Sequence, residues 1–328
     1  MKVPFLLHGR ENRYERHEII FRKSGQKRIS KSKVSIIGLG ALGGIVSTIM
    51  ARAGVGQIQL IDGDLVEFVN LHRQFLYNED DVGQAKALCA KKNLEKINSD
   101  IKISYDILEV GPNNIDNVLK KKDLILNCTD NLYARFVIND YCRKKKLKWV
   151  NASAVRDIGC VMNFYHDKNS PCYRCLYENK SNELSCENSG VLNTLTTMVG
   201  AIQANEALKI LLGKTPEKDM IRITLDSIDK IKFKRNQHCP LCSDKKFEFL
   251  DGKNKPRIKQ SGGSVHFYGR SINLKTMQTK LKKHGKVEDY SDYLRFNNII
   301  AFRDGRVIIR TQSEAEAKAL YSKYFGSL

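Results

Sequence analysis

The sequence predicts an α/β fold: a doubly wound, mostly parallel sheet with antiparallel additions, followed by a small α+β domain. Three observations predict it. Val-, Ile- and Leu-rich runs alternate with helical stretches up to about residue 160, the pattern of a parallel sheet covered by helices on both faces. Beyond that point the runs "VMNFYHD", "DMIRITLDS" and "KIKFKRN" alternate in polarity, as antiparallel strands do. Near the start, "VSIIGLGALGGIVSTIMARAG" (34–54) passes from a strand pattern through three glycines into a helix.

In chain order, residues 1–30 read as an N-terminal helical segment and 31–250 as the main domain. The strand runs of the main domain are "KVSIIG", "GQIQLID", "IKISYDIL", "DLILNCTD" and "LKWVNASAV". Between the second and third, Ala87, Ala90, Leu94 and Ile97 recur at helical spacing and share one face. Farther on, Leu195, Met198, Val199, Ile202 and Leu208 predict a helix that packs in the core or in a dimer. The polar stretch 251–264 has the composition of a linker. In the last domain, 265–328, Asp304-Gly305 marks a hairpin, and Ser313 with Glu316 reads as a capping box.

Composition sets bounds on function. No apolar run approaches the roughly 18 residues of a membrane span. The opening "MKVPFLLHGRENR" is charged too soon for a signal peptide, so a cytoplasmic protein is expected. Lys and Arg (56) outnumber Asp and Glu (36), giving a net charge of +20, but they are spread along the chain. That reads as a solvated surface able to attract an acidic partner, not as a nucleic-acid site. Nine cysteines in a chain expected to stay inside the cell favour thiolate chemistry or metal binding over disulfides.

The glycines have distinct duties in a Rossmann-like turn. Gly38 permits the turn after the strand, Gly40 lets backbone approach a phosphate, and Gly43 lets the helix pack closely. Asp62 follows about 20 residues later at the end of the next strand, where a carboxylate accepts from ribose hydroxyls. This pattern alone fits NAD as well as other nucleotides. The stretch that follows supplies Asn70, Arg73, Gln74 and Lys86, cations and amides that hydride transfer does not need and phosphate chemistry does. "DLILNCTDN" then ends in Asp130 at the carboxyl edge of the sheet, a natural anchor for Mg²⁺ beside a polyphosphate.

Two CxxC pairs, Cys172/Cys175 and Cys239/Cys242, are the usual way to surround Zn²⁺ with four thiolates. Sulfur fills every position and leaves none for water, so the zinc reads as structural. Two redox pairs are the alternative, but no thioredoxin-like βαβ context surrounds them.

In their order and spacing, "GLGALG", "LIDGDLVEFVNLHRQ", "VGQAK", "CTDN", "CYRC" and "CPLC" resemble the ThiF/MoeB/HesA family of ubiquitin-activating-like adenylyltransferases. The resemblance spans about residues 12 to 245. It implies MgATP-dependent adenylation of the C-terminal Gly-Gly carboxylate of a small sulfur-carrier or ubiquitin-like protein, with release of pyrophosphate. By the same resemblance, Gly38, Gly40, Gly43 and Asp62, with Asp64 nearby, hold phosphates and ribose. Asn70, Arg73 and Lys86 contact the triphosphate, Asp130 binds magnesium, and Arg135 matches an arginine following that aspartate. "NRYERHEII" is similar to the family's opening, so Arg16 would be lent across a homodimer to the partner's ATP, although His17-Glu18 departs from the usual pattern. Cys186 falls in a region that bears a reactive cysteine in some members. With no sulfurtransferase-like domain read in the chain, sulfur would come from another protein. A ligase acting on a peptide or tRNA carboxylate, or a nucleotide-binding scaffold without turnover, are the alternatives.

Overall fold

A computed structural model describes residues 12–165, 170–177, 190–252, 258–261, 263–311 and 313–326, which fall into two units meeting at Asp251 and Gly252. The first is built on an eight-stranded sheet. Strands β1 (Lys33–Ile37), β2 (Gln57–Ile61), β3 (Lys102–Asp106), β4 (Leu124–Asn127) and β5 (Trp149–Val155) are parallel. Strands β6 (Ile158–Phe164), β7 (Met220–Ile223) and β8 (Ile228–Ile231) are antiparallel additions. The order is β3-β2-β1-β4-β5-β6-β7-β8. The chain therefore leaves β1 in one direction and returns on its other side at β4, which opens a crevice between the carboxyl ends of these two strands.

Alternation along the strands sends side chains to two cores. Val34, Ile36, Leu124, Leu126, Val150 and Ala152 face one core, and Ile37, Ile125 and Trp149 face the other. Helices α1 (Glu15–Lys31), α2 (Ala41–Ala53), α3 (Lys86–Ile97) and α7 (Asn193–Leu211) supply the first core. Helices α4 (Ile115–Val118) and α5 (Leu132–Lys145) supply the second. The short helices α6 (Tyr173–Leu176) and α8 (Pro240–Asp244) belong to the cysteine segments. The expected apolar faces are present: Ala87, Ala90, Leu94, Leu195 and Val199 are buried. Gly200 marks the α2–α7 crossing, where a Cβ would lie 2.9 Å from the Ile45 Cβ.

Helix α1 sits at the amino edge of the sheet. Its Tyr14 ring packs on Gly54, Asn98 Nδ2 donates to the Tyr14 hydroxyl, and Gln26 Nε2 donates to the Ala53 carbonyl. No helix among the described residues is long and apolar enough to cross a membrane.

The second unit is a six-stranded antiparallel sheet: β9 (Ile258–Ser261), β10 (Ser264–Tyr268), β11 (Glu288–Asp289), β12 (Tyr293–Phe296), β13 (Ile299–Phe302) and β14 (Arg306–Ile309). Helices α9 (Leu274–Lys282) and α10 (Glu314–Phe325) cover a core of Val265, Phe267, Phe296, Ile299, Val307 and Ile309. The expected hairpin lies between β13 and β14, with Gly305 at φ +96° beneath the Arg270 carbonyl.

Two expectations need correction. The stretch 251–264 is not wholly linker, because β9 lies inside it and pairs with β10. Its four residues are mostly polar and carry no core periodicity that separates an edge strand from a linker. The capping box is only half formed. Ser313 accepts from the Glu316 N–H, while the Glu316 carboxylate accepts from Thr311 Oγ1 instead of reaching back to Ser313.

Candidate functional site

The glycine turn occupies the crevice between β1 and β4. Gly38 has φ +86°, and a Cβ there would come within 2.8 Å of the Cys128–Thr129 backbone. A Cβ on Gly43 would lie 1.9 Å from the Gly38 carbonyl oxygen, so the third glycine seats the helix on the turn itself. Gly40 is the N-cap of α2 and provides no side chain to its first N–H groups, which leaves orphan donors and the positive end of the helix dipole facing the crevice. Gly43→Ala should force the turn apart. An overpacking cost of about 1–3 kcal/mol corresponds to a melting temperature lower by several degrees, and ATP affinity should fall with it. Calorimetry and nucleotide titration of the variant check both.

Side chains hold the turn rigid. Leu39 N–H donates to Asp62 Oδ2 at 2.6 Å, and the Tyr77 hydroxyl donates to the Leu39 carbonyl at 2.8 Å. Asp62 Oδ1 accepts from the Asp64 N–H at 2.7 Å. Asp62 is therefore turned inward, 8% exposed, with both oxygens engaged by backbone, in contrast to the ribose-facing role expected for it. Asp64, two residues on, is the exposed carboxylate of this strand end.

Lys86, the first residue of α3, is only 6% exposed, and its Nζ lies 3.2 Å from Asp64 Oδ2. Burial by itself would lower the Lys86 pKa; Asp64, Asp62 and Asp130 more than offset it and raise the value. Burial likewise raises the Asp62 carboxyl to about 6 against the opposing pull of Lys86. Asp130 stands exposed just past β4 and is within electrostatic reach of Lys86, so Asp62, Asp64, Lys86 and Asp130 form one charged cluster.

The loop between β2 and α3 closes over this cluster. Asn70 ends a helical turn, Phe68–Asn70, and donates to Glu67. Arg73 is half-buried and has no acidic partner among the described residues. Gln74 is 4% exposed, lies over Gly40 with Nε2 3.6 Å from where a Cβ would be, and its Oε1 has no partner among the described residues. A buried amide oxygen left unsatisfied beside the glycine turn suits a bound ligand that donates to it, such as a hydroxyl.

Two expected residues are not brought to the cluster. Arg135 is 7% exposed and points away, with Nη2 and Nε donating to the Thr129 carbonyl and Nη1 to the Tyr173 hydroxyl. No local pattern tells which side of α5 its first turn buries. Arg16 is exposed on α1 at the amino edge, opposite the crevice, so within one chain it does not join the site. Cys186 lies outside the described residues.

The four knuckle cysteines do converge. Cys172 and Cys175 sulfurs are 3.8 Å apart, Cys172 and Cys239 3.7 Å, and Cys175 and Cys242 3.7 Å. A tetrahedron with Zn–S arms of about 2.3 Å has edges of about 3.8 Å, so the spacing fits zinc. The group is sheltered by Leu241 and Phe247, and Arg235 donates to the Cys242 carbonyl. Of the other cysteines, Cys89, Cys128 and Cys142 are buried, and Cys160 is half-buried.

Near the knuckles, Asp140 of α5 is fully buried and accepts from the Phe249 N–H, with Arg174 and Glu248 close by. Burial raises its carboxyl from 3.8 to about 7, against the opposing Phe249 hydrogen bond and Arg174 charge. The folded state thus retains a proton that the unfolded chain releases, and stability from this group is lost as pH rises from about 4 to about 7. Asp140→Asn keeps an acceptor for Phe249. It is expected to raise the melting temperature more at pH 8 than at pH 5, and an equal gain at both would contradict the assignment.

Gln203 was not anticipated. It donates to the Asn127 and Val150 carbonyls and accepts from the Cys128 thiol, tying α7 to the ends of β4 and β5. Its signal was present in the sequence: a polar residue four positions after Val199, on the buried stripe of the helix.

Against known proteins, the ThiF family matches over residues 14–246. The chain is 30% identical to the sulfur carrier protein ThiS adenylyltransferase of Bacillus subtilis, with 96% of this chain and 99% of that one covered. It is 32% identical to the sulfur carrier protein adenylyltransferase of Thermus thermophilus, over 71% of this chain and 91% of that one. The adenylyltransferase and sulfurtransferase MOCS3 of Xenopus laevis is 34% identical over 67% of this chain, which spans about half (50%) of that protein. Among solved structures, E. coli MccB with ATP superposes at a TM-score of 0.62, with 26% identity, over 71% of this chain and 75% of that one.

Proposed function

Because this chain belongs to the ThiF family, we propose that it is an ATP-dependent adenylyltransferase acting on the C-terminal Gly-Gly carboxylate of a small sulfur-carrier or ubiquitin-like protein. The observation that carries the reading is the buried Lys86, held among Asp62, Asp64 and Asp130 beside a glycine turn whose helix N-terminus has no side-chain cap. That is a site for a polyphosphate and its cation.

The chemistry asks little of a base. A C-terminal carboxylate has a pKa of about 3.5 and is ionised at neutral pH. One of its oxygens attacks the α-phosphorus of ATP, the bond from that phosphorus to the bridging oxygen breaks, and pyrophosphate leaves with the electron pair. The obstacle is the repulsion between two anions and the charge that grows on the leaving group. Lys86, Arg73 and the N–H groups of α2 oppose both from fixed positions. Asp130, exposed on the carboxyl edge, would hold a hydrated Mg²⁺, which would neutralise part of the phosphate charge. Asp64 stands where a ribose or the same cation is met, and Asp62 acts through the turn it fixes.

The reading includes a homodimer. Ile19 and Ile20 are each 70% exposed on α1 beside Arg16, and Phe68 and Val69 are similarly bare on the loop over the site, as surfaces that a second copy covers are. Cys186 as an acyl or sulfur acceptor, an external sulfurtransferase and a cytoplasmic setting belong to the same proposal.

The test is ATP–pyrophosphate exchange with each small Gly-Gly-ending protein of the source organism, with Asp130→Ala as control. Exchange that requires one of these proteins and is lost in the control supports the reading. Exchange stimulated only by a peptide or tRNA carboxylate favours the related ligase, and ATP binding without exchange favours a scaffold.

A further inference from the structure

We propose that Arg135 is a positioning residue through which the zinc knuckle holds the Asp130 loop. This rests on the reading above that Asp130 carries the divalent ion. One guanidinium spans the two sites. Nη2 and Nε converge on the Thr129 carbonyl at 2.8 and 3.3 Å, one residue before Asp130, and Nη1 reaches the Tyr173 hydroxyl at 3.4 Å. Tyr173 stands directly between Cys172 and Arg174, inside the first CxxC.

Tyr173 has little freedom to move independently of the cysteines. Its ring is 1% exposed and meets Phe136, Trp149, Phe164 and Tyr177, and its N–H donates to Asn139 Oδ1 at 2.9 Å. On the other side, Thr129 is held locally: its N–H and hydroxyl donate to Asn127 Oδ1. Asn131 caps α5 and donates to Glu109. The guanidinium is thus a buried, charged strut between a metal-braced helix and the peptide that carries Asp130. Charged donors make stronger hydrogen bonds than neutral ones, and a planar fork fixes direction as well as distance.

The test uses the zinc-loaded protein and its Tyr173→Phe, Arg135→Lys and Arg135→Gln variants, with Mn²⁺ as a paramagnetic probe of the ATP-bound ion. Zinc content and melting temperature are measured for each. Tyr173→Phe keeps the ring and removes the hydroxyl that accepts from Arg135. It is expected to retain zinc and fold while weakening Mn²⁺ binding in the ATP complex about 10-fold, the equivalent of one hydrogen bond. Arg135→Lys, with no fork to span both partners, should do the same. Coupling between sites is reciprocal. In protein carrying Co²⁺ at the four cysteines, the thiolate absorption should therefore shift when MgATP binds to the wild type and not to Tyr173→Phe. Unchanged Mn²⁺ affinity in Tyr173→Phe, or an equal absorption shift in both proteins, overturns the coupling. A wild type with no ATP-dependent Mn²⁺ site overturns the functional reading itself, and the coupling with it.

Discussion

Replacing Lys86 with methionine lowers ATP–pyrophosphate exchange by roughly 10²–10³-fold, the usual consequence of removing one preorganised charge from a phosphoryl site. The expectation follows from where the ammonium sits. It is buried, ion-paired to Asp64 and close enough to Asp62 and Asp130 for all three carboxylates to raise its pKa. Without it, the exposed carboxylates of Asp64 and Asp130 face the incoming polyphosphate, opposed by Arg73 and the α2 terminus. Asp62 also loses the charge that restrains its pKa, so its carboxyl should titrate higher and loosen its hold on the Leu39 N–H near neutral pH. Lys86→Arg should recover little, because at a 6% exposed site a planar fork does not reproduce the compact point charge of an ammonium. Near wild-type exchange in Lys86→Met would remove Lys86 from the chemistry.

Cys239→Ser releases the zinc and lowers the melting temperature by about 10 °C or more. Among the described residues, the cluster around the thiolates contains Leu241 and Phe247 besides the cysteines, too few apolar groups to hold two distant segments together. Metal binding is therefore folding free energy here, and losing one of four ligands forfeits several kcal/mol. Cys142→Ser is the control, since that thiol is buried on α5 and takes no part in the cluster. Metal content by atomic absorption and melting by calorimetry decide the matter. A zinc-loaded Cys239→Ser, or a zinc-free one melting with the wild type, contradicts a structural role.

Much of the fold was legible because its determinants are local. Strand runs with both faces buried, a glycine turn and helical stripes each have a period, and the switch from continuous to alternating strands marked the antiparallel edge. The cysteine pairs were legible because tetrahedral thiolate coordination constrains spacing. What escaped is side-chain direction. Nothing local distinguishes an Asp62 that meets a ribose from one that pins a turn, because both need a carboxylate at the end of the strand. The direction of Arg135 escapes local reading because its partners, Thr129 and Tyr173, are far apart in sequence and meet when α5 packs against the knuckle. Gln203 and Asp140 were overlooked although each interrupts a buried helical stripe, a signal that a hydrogen-bond partner waits across the packing surface.

The central claim is that fixed positive charge lets a carboxylate and ATP meet. The most direct measurement is the intact mass of a Gly-Gly-ending carrier after incubation with MgATP and this protein, quenched at low pH. A mass gain of one adenylyl group, lost when the carrier's last glycine is removed and absent with Lys86→Met, is the predicted result. A carrier unchanged in mass across every candidate, while ATP remains bound, would contradict it.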